Sequence, residues 1–367
     1  MSRRAAVVVL VTALALGPLA VACSGKNDAA PPDTEAEATT TTTTAPLPRY
    51  PLTGLPAMDA AVAGNHPAIV VKIDNGINSR PQTGLSRADI VFEEEVEGVT
   101  RLASVFHSQL PDVVGNVRSG RSSDVDIVGQ LSRPLFAWSG GNPIVTGQIL
   151  AAQRDGILTD ASFDAATPAY YRSNDRKAPY NLYVHPSQLL ELRAPEGQGA
   201  PAPVFTYRED GAALPAAALP VPGVTIVFTP NAKISYAWDA ERHGWDRFQI
   251  DSQHALPTSA FLDADGGQVA PENVVVLSTP YGVSAADKNS PQALTVGEGD
   301  ALVFTDGHVI GGRWVRPSAN GPAQLLDGSG QPVSLTRGRT WVELPRIGAS
   351  VAVFDQATAD GFLAVRG

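Results

Sequence analysis

Residues 80–126 read RPQTGLSRADIVFEEEVEGVTRLASVFHSQLPDVVGNVRSGRSSDVD, with eight carboxylates and five arginines set among apolar runs. The densest part is Glu93-Glu94-Glu95-Val96-Glu97. Alternate residues of a strand share a face, so Glu93, Glu95 and Glu97 are expected on one side and Phe92, Glu94 and Val96 on the other. Carboxylates crowded on one face oppose each other's ionisation and need cations nearby. Arg101, Arg118 and Arg121 are the cations on offer. Such a set either lines a polar cleft, where paired carboxylates do acid–base work or hold a metal, or forms an ion network that only fixes the fold.

A second group is Arg118-Ser119-Gly120-Arg121, just ahead of helical spacing at Val125, Val128 and Leu131. Two guanidinium groups and a hydroxyl at a helix start suit a phosphate or carboxylate. The plainer alternative is that these arginines neutralise the glutamates. Asp74-Asn75 closes a strand-like run over 68–73, and with Arg80 it is expected at the rim of the same cleft.

Other chemistries lack their residues. Histidines 66, 107, 185, 243, 254 and 308 show no HxH or HExxH spacing, so no metal site is expected. Ser139-Gly140-Gly141 lacks the flanks of a nucleophile elbow. No P-loop or GxGxxG stands at a strand-to-helix turn, and no cofactor is expected. Cys23 is the single cysteine, which excludes an internal disulfide and cysteine-based metal sites.

The elements that must position these groups begin after an export segment. Residues 1–22 carry Arg3 and Arg4, an apolar run over 5–16, and small residues before Cys23, as in a secretory signal. The run is shorter than the about 20 apolar residues that span a bilayer. Ala20-Val21-Ala22-Cys23 resembles a bacterial lipobox, in which the cysteine takes diacylglycerol after cleavage. This places the protein outside the cytoplasm, anchored to the outer face of the bacterial cytoplasmic membrane. Two or three acyl chains hold stably where one does not. Residues 23–49 read as a disordered tether with six consecutive threonines, Thr39 to Thr44. Without residues 1–22 the chain has 25 Lys and Arg against 37 Asp and Glu, a net charge of −12. That balance argues against nucleic-acid partners.

The remainder, with 34 Gly and 30 Pro in the chain, predicts an α+β protein rich in strands and loops. A mixed α/β N-terminal domain is expected over 50–195. It holds strands at 68–73, 88–97 and 102–107, a tight hairpin turn over Glu97-Gly98-Val99-Thr100, a helix from Asp124, a strand at 135–138 and a helix from Pro143. An Ala/Pro-rich linker follows over 196–222, then a smaller, mostly β domain over 223–356 and a tail over 357–367. Strands of the second domain are expected at 224–228, 234–238, 245–250, 274–277, 301–305 and 351–354.

Several uncommon motifs occur in order: Pro51-Leu52-Thr53-Gly54, Asp74-Asn75, Arg80-Pro81-Gln82-Thr83-Gly84-Leu85, Ala88-Asp89-Ile90-Val91, Glu97-Gly98-Val99-Thr100-Arg101 and Gly115-Asn116-Val117-Arg118-Ser119-Gly120-Arg121. Ala178-Pro179-Tyr180-Asn181-Leu182-Tyr183 and Trp245-Asp246-Arg247 continue the series. Over residues 50–356 the chain resembles the YerB-like lipoproteins (DUF3048). The resemblance implies a secreted, lipid-anchored, two-domain protein and supplies no activity. Val99 stands where relatives tend to have a second glycine, and Asn116 where they often have proline. Neither change removes a charge from the cluster.

Three functions fit these residues. In the first, an envelope lipoprotein binds an anionic ligand or a partner in a cleft lined by Glu93, Glu95, Glu97, Arg101, Arg118, Ser119 and Arg121, with Asp74, Asn75 and Arg80 at the rim. In the second, a cell-wall hydrolase uses Glu95 or Glu97 as acid or base. In the third, the protein is a scaffold in a membrane complex and its charges are structural.

Overall fold

Ile69–Asp74 (β1), Ile90–Val96 (β2) and Val99–Phe106 (β3) form the centre of the molecule. The computed structural model describes residues 47–58, 60–250 and 259–366. Cys23, the export segment and nearly all of the expected tether lie outside the described residues.

β2 and β3 pair antiparallel from Ile90↔Val105 to Val96↔Val99, joined by the two-residue turn Glu97-Gly98. Gly98 has φ +80°, a left-handed conformation that glycine adopts without a Cβ penalty. On its far side β3 pairs antiparallel with β1, with Asp74 opposite Arg101. β1 pairs parallel with Leu135–Ala137. The other edge of β2 pairs parallel with Thr340–Leu344, which brings Glu343 opposite Glu93. Asn273–Leu277, Gly297–Thr305, His308–Arg316 and Gln324–Asp327 continue the same sheet, eleven-stranded among the described residues. Both expected domains therefore contribute to one sheet, and Pro46–Gly367 is one compact unit.

The central strands β1, β2 and Thr340–Leu344 are buried on both faces, as parallel pairing favours. Val71, Ile73, Val91 and Leu102 face one core, completed by Val224, Ile234, Tyr236 and Trp245. These last belong to a second sheet of five strands, in the order Ser259–Ala260, Gly244–Ile250, Ala232–Asp239, Gly223–Thr229 and Val351–Phe354. Val70, Phe92, Ala103 and Val105 face the other core, against Ile127, Val128 and Ile149. Ile127 and Val128 lie on helix Asp124–Gly129. Ile149 lies on helix Pro143–Arg154, where Asn142 caps Ile144 N–H at 2.9 Å and proline takes the first turn.

Two segments differ from expectation. The Ala/Pro-rich stretch is docked along its course: Val204 and Phe205 are buried, and Leu219–Pro220 pairs with His308–Arg316. Helix Gln356–Leu363 stands where a tail was expected, its Phe362 ring 4.9 Å from Phe248 and 5.2 Å from Phe354. A helix of eight residues leaves little periodic signal, and packing of its aromatic residue holds it.

Candidate functional site

Asp74 is the last residue of β1 and Arg101 is its neighbour on β3. The chain returns to this corner at Val117, which bridges Ile73, and Arg118 N–H donates to Lys72 O at 2.9 Å. Three arginines thereby meet. Arg118 Nε lies 2.7 Å from Asp74 Oδ2. Arg121 forks onto Glu97, with both N···O distances 2.7 Å, and Ser290 Oγ donates to the same carboxylate. Arg101 has no such partner. It is 5% exposed, its Nη1 reaches Ser119 O at 3.4 Å, its Nη2 stands 3.8 Å from Asp74 Oδ2, and its Nε makes no hydrogen bond. Burial pulls its pKa down to about 10, the Arg121 charge adds to this, and Asp74 opposes it.

Three guanidinium groups share two carboxylates here, leaving one positive charge. Ser119 is half-buried among them, and its hydroxyl makes no hydrogen bond among the described residues. Gly140 borders it at φ +78°, where a Cβ would come 3.4 Å from Ser119 Oγ. The expected helix start contributes less than its position suggested. Helix Asp124–Gly129 is a single short element, and Asp124 itself accepts the Arg121 N–H at 2.6 Å.

The expected row of glutamates does not assemble into one cluster. Glu93 is fully buried between the sheets and meets Arg247 Nη2 at 2.8 Å. Arg247 also reaches Tyr236 OH at 2.7 Å and Glu343 at 3.3 Å, and packs between the Trp341 and Phe261 rings, 4.2 and 4.6 Å from their centroids. Tyr236 OH donates to Glu343. Burial, and then the Glu93 charge, raise the Glu343 pKa well above the usual carboxylate range. Glu95 is held by Arg346 at 2.6 and 3.0 Å. Glu97 sits in the turn beyond β2, so the strand's alternation does not govern it.

Asn75 belongs to the buried Glu93 network: its Nδ2 donates to Glu93, Thr100 and Gln249 at 3.0, 2.8 and 3.1 Å. Arg80 donates to Asn75 O at 2.7 Å and lines a separate cavity of about 250 Å³ with Ile77, Pro81 and Gln249. Of the sequence candidates, then, Asp74, Glu97, Arg101, Arg118, Ser119 and Arg121 share one partly exposed corner.

Sequence reasoning missed a second buried cluster. Lys72 Nζ lies 2.5 Å from Glu94 Oε1 and 2.6 Å from Asp124 Oδ1, all three residues without solvent exposure. A lysine inside the apolar run Ile69-Val70-Val71-Lys72-Ile73 was the available signal, since a buried ammonium needs an acid. Arg247, Glu343 and Arg346 come from strands or loops remote in sequence, and nothing in their spacing ties them to Glu93 or Glu95.

Among the described residues no three His, Cys, Asp or Glu side chains are grouped to hold a metal, and no helix is long and apolar enough to cross a membrane. The N-terminal domain of the family described as "Protein of unknown function (DUF3048)" matches residues 52–199, and the C-terminal domain of that family matches 224–342. The protein named "Putative lipoprotein YerB" of Bacillus subtilis (strain 168) is 28% identical over 333 residues, covering 89% of this chain and 91% of that protein. The crystal structure of Bacillus subtilis YerB superposes with TM-score 0.67 at 23% identity, over 83% of this chain and 99% of that one, and so shares the fold. With both family domains matched in order, the chain belongs to the DUF3048 family.

Proposed function

We propose that the protein is an extracytoplasmic lipoprotein, held at the membrane through Cys23, that binds an anionic group at the corner formed by Arg101, Arg118, Ser119 and Arg121. The observation that carries the binding reading is Arg101, a buried guanidinium with only long contacts at 3.4 and 3.8 Å beside two further arginines. A buried charge left this poorly matched is costly unless something completes it. An incoming anion would supply the missing acceptors, while Ser119 offers a free hydroxyl. Anchoring draws on the lipobox-like Ala20-Val21-Ala22-Cys23 and on the lipoprotein name of the Bacillus relative.

Nothing in the geometry favours a hydrolase. Glu95 and Glu97, the acid–base candidates, each carry two hydrogen bonds from a different arginine. The binding reading is tested by thermal unfolding of the compact unit from Pro46 onward with inorganic phosphate, sulfate, acetate and neutral controls. A ligand of the native state raises Tm. Phosphate raising Tm in the parent and not in Arg118→Ala supports the site; no shift with any anion refutes it.

A further inference from the structure

The anion corner has an aromatic wall. The Arg118 guanidinium carbon lies 5.4 Å from the Tyr180 ring centroid, and Arg118 Nη1 reaches Pro179 O at 3.5 Å. Tyr180 is half-buried, with part of its surface facing solvent. Asn116 fixes this loop: its Nδ2 donates to Tyr180 O at 2.5 Å and to Tyr183 OH at 2.9 Å. Asn116 is fully buried, yet its Oδ1 accepts no hydrogen bond. Buried acceptors without donors are uncommon and call for an explanation.

We infer that the ligand at this corner is a phosphate ester carrying a sugar ring, an inference that rests on the anion-binding reading. Donors from Arg101, Arg118 and Ser119 approach from separate side chains, with the Arg121 charge beside them. A tetrahedral phosphate offers more acceptor directions to such a set than a planar carboxylate does. Tyr180 stands beside the charge, so a ring two or three bonds from the phosphorus reaches its apolar surface. An unsubstituted phosphate has no ring to lay against Tyr180.

Isothermal titration of the unit from Pro46 onward with inorganic phosphate, glucose 1-phosphate and glucose tests this, repeated on Tyr180→Phe and Tyr180→Ala. Aromatic contacts contribute about 0.5–1.5 kcal/mol, so glucose 1-phosphate is expected to bind roughly 2- to 13-fold more tightly than phosphate. Tyr180→Phe keeps that ratio and Tyr180→Ala brings it near one, while glucose alone does not bind. If phosphate and glucose 1-phosphate bind equally, or the ratio survives Tyr180→Ala, the sugar inference is wrong and the anion site stands. If neither binds, the anion reading itself has failed.

Discussion

Glu93 and Glu94 are adjacent in β2 and serve opposite cores, each sharing a single buried cation with a second carboxylate. On one face Glu93 and Glu343 share Arg247; on the other Glu94 and Asp124 share Lys72. Each cluster ties the central sheet to a different layer, the five-stranded sheet through Arg247 and the short helix through Asp124. All six side chains are without solvent exposure.

Removing one cation should therefore be costly. Arg247→Met leaves two buried carboxylates without a counter-ion, and a loss of about 3–5 kcal/mol is expected from urea unfolding. Adding Glu93→Gln and Glu343→Gln removes the orphaned acids and should recover part of that loss. The triple variant less stable than Arg247→Met alone would show that the charges are not the source of the cost.

The buried acids also set a pH dependence. Burial pushes Asp89 up to about 6 in spite of hydrogen bonds from Ser108 and His107 and the Arg339 charge. Burial takes Asp124 to about 6 as well, with Lys72 opposing and Glu94 assisting. A carboxyl whose folded pKa is raised contributes stability that is complete below its unfolded value, and that is lost as pH rises through the folded value. For Asp89 the shift corresponds to about 3 kcal/mol. The stability of the parent relative to Asp89→Asn should thus be greatest below about pH 3 and shrink by about that amount toward about pH 7.5. Urea unfolding across this range reads the difference directly; a gap that stays constant or widens with pH contradicts the assignment.

Local signals carried much of the fold. The hairpin that turns at Glu97-Gly98, the run closed by Asp74 and the helix from Pro143 stand where turn residues, a strand-length apolar run and a first-turn proline put them, although Val99 and Thr100 of the expected turn already belong to β3. The pairing of β2 with Thr340–Leu344 was not legible, because parallel neighbours remote in the chain share no turn whose residues announce them. Hence Glu93 appeared to need Arg101, Arg118 or Arg121, when Arg247 of another sheet neutralises it. Arg118, Ser119 and Arg121 could be grouped from spacing alone, being close in sequence. Their meeting with Arg101 follows from the register of β1 with β3 and the return of the chain at Val117.

Glu97 acts as an internal anion on Arg121. It is the more exposed partner, at 40% against 20% for the arginine side chain. An exposed pair of this kind is worth about 0.2–1 kcal/mol. Glu97→Gln frees Arg121 for a ligand and should tighten phosphate binding by roughly 1.5- to 5-fold, with little change in Tm. Weaker phosphate binding in Glu97→Gln would mean that Glu97 positions Arg121 for the ligand and does not compete with it.

The most direct measurement is calorimetric titration of inorganic phosphate into the unit from Pro46 onward, at low and at physiological salt, in the parent and in Arg118→Ala. Saturable one-to-one binding is expected, weakening as salt screens the arginines and disappearing in Arg118→Ala, while that variant still unfolds cooperatively. Absence of binding in the parent, or binding undiminished in Arg118→Ala, would contradict the anion-binding reading and leave these charges as supports of the fold.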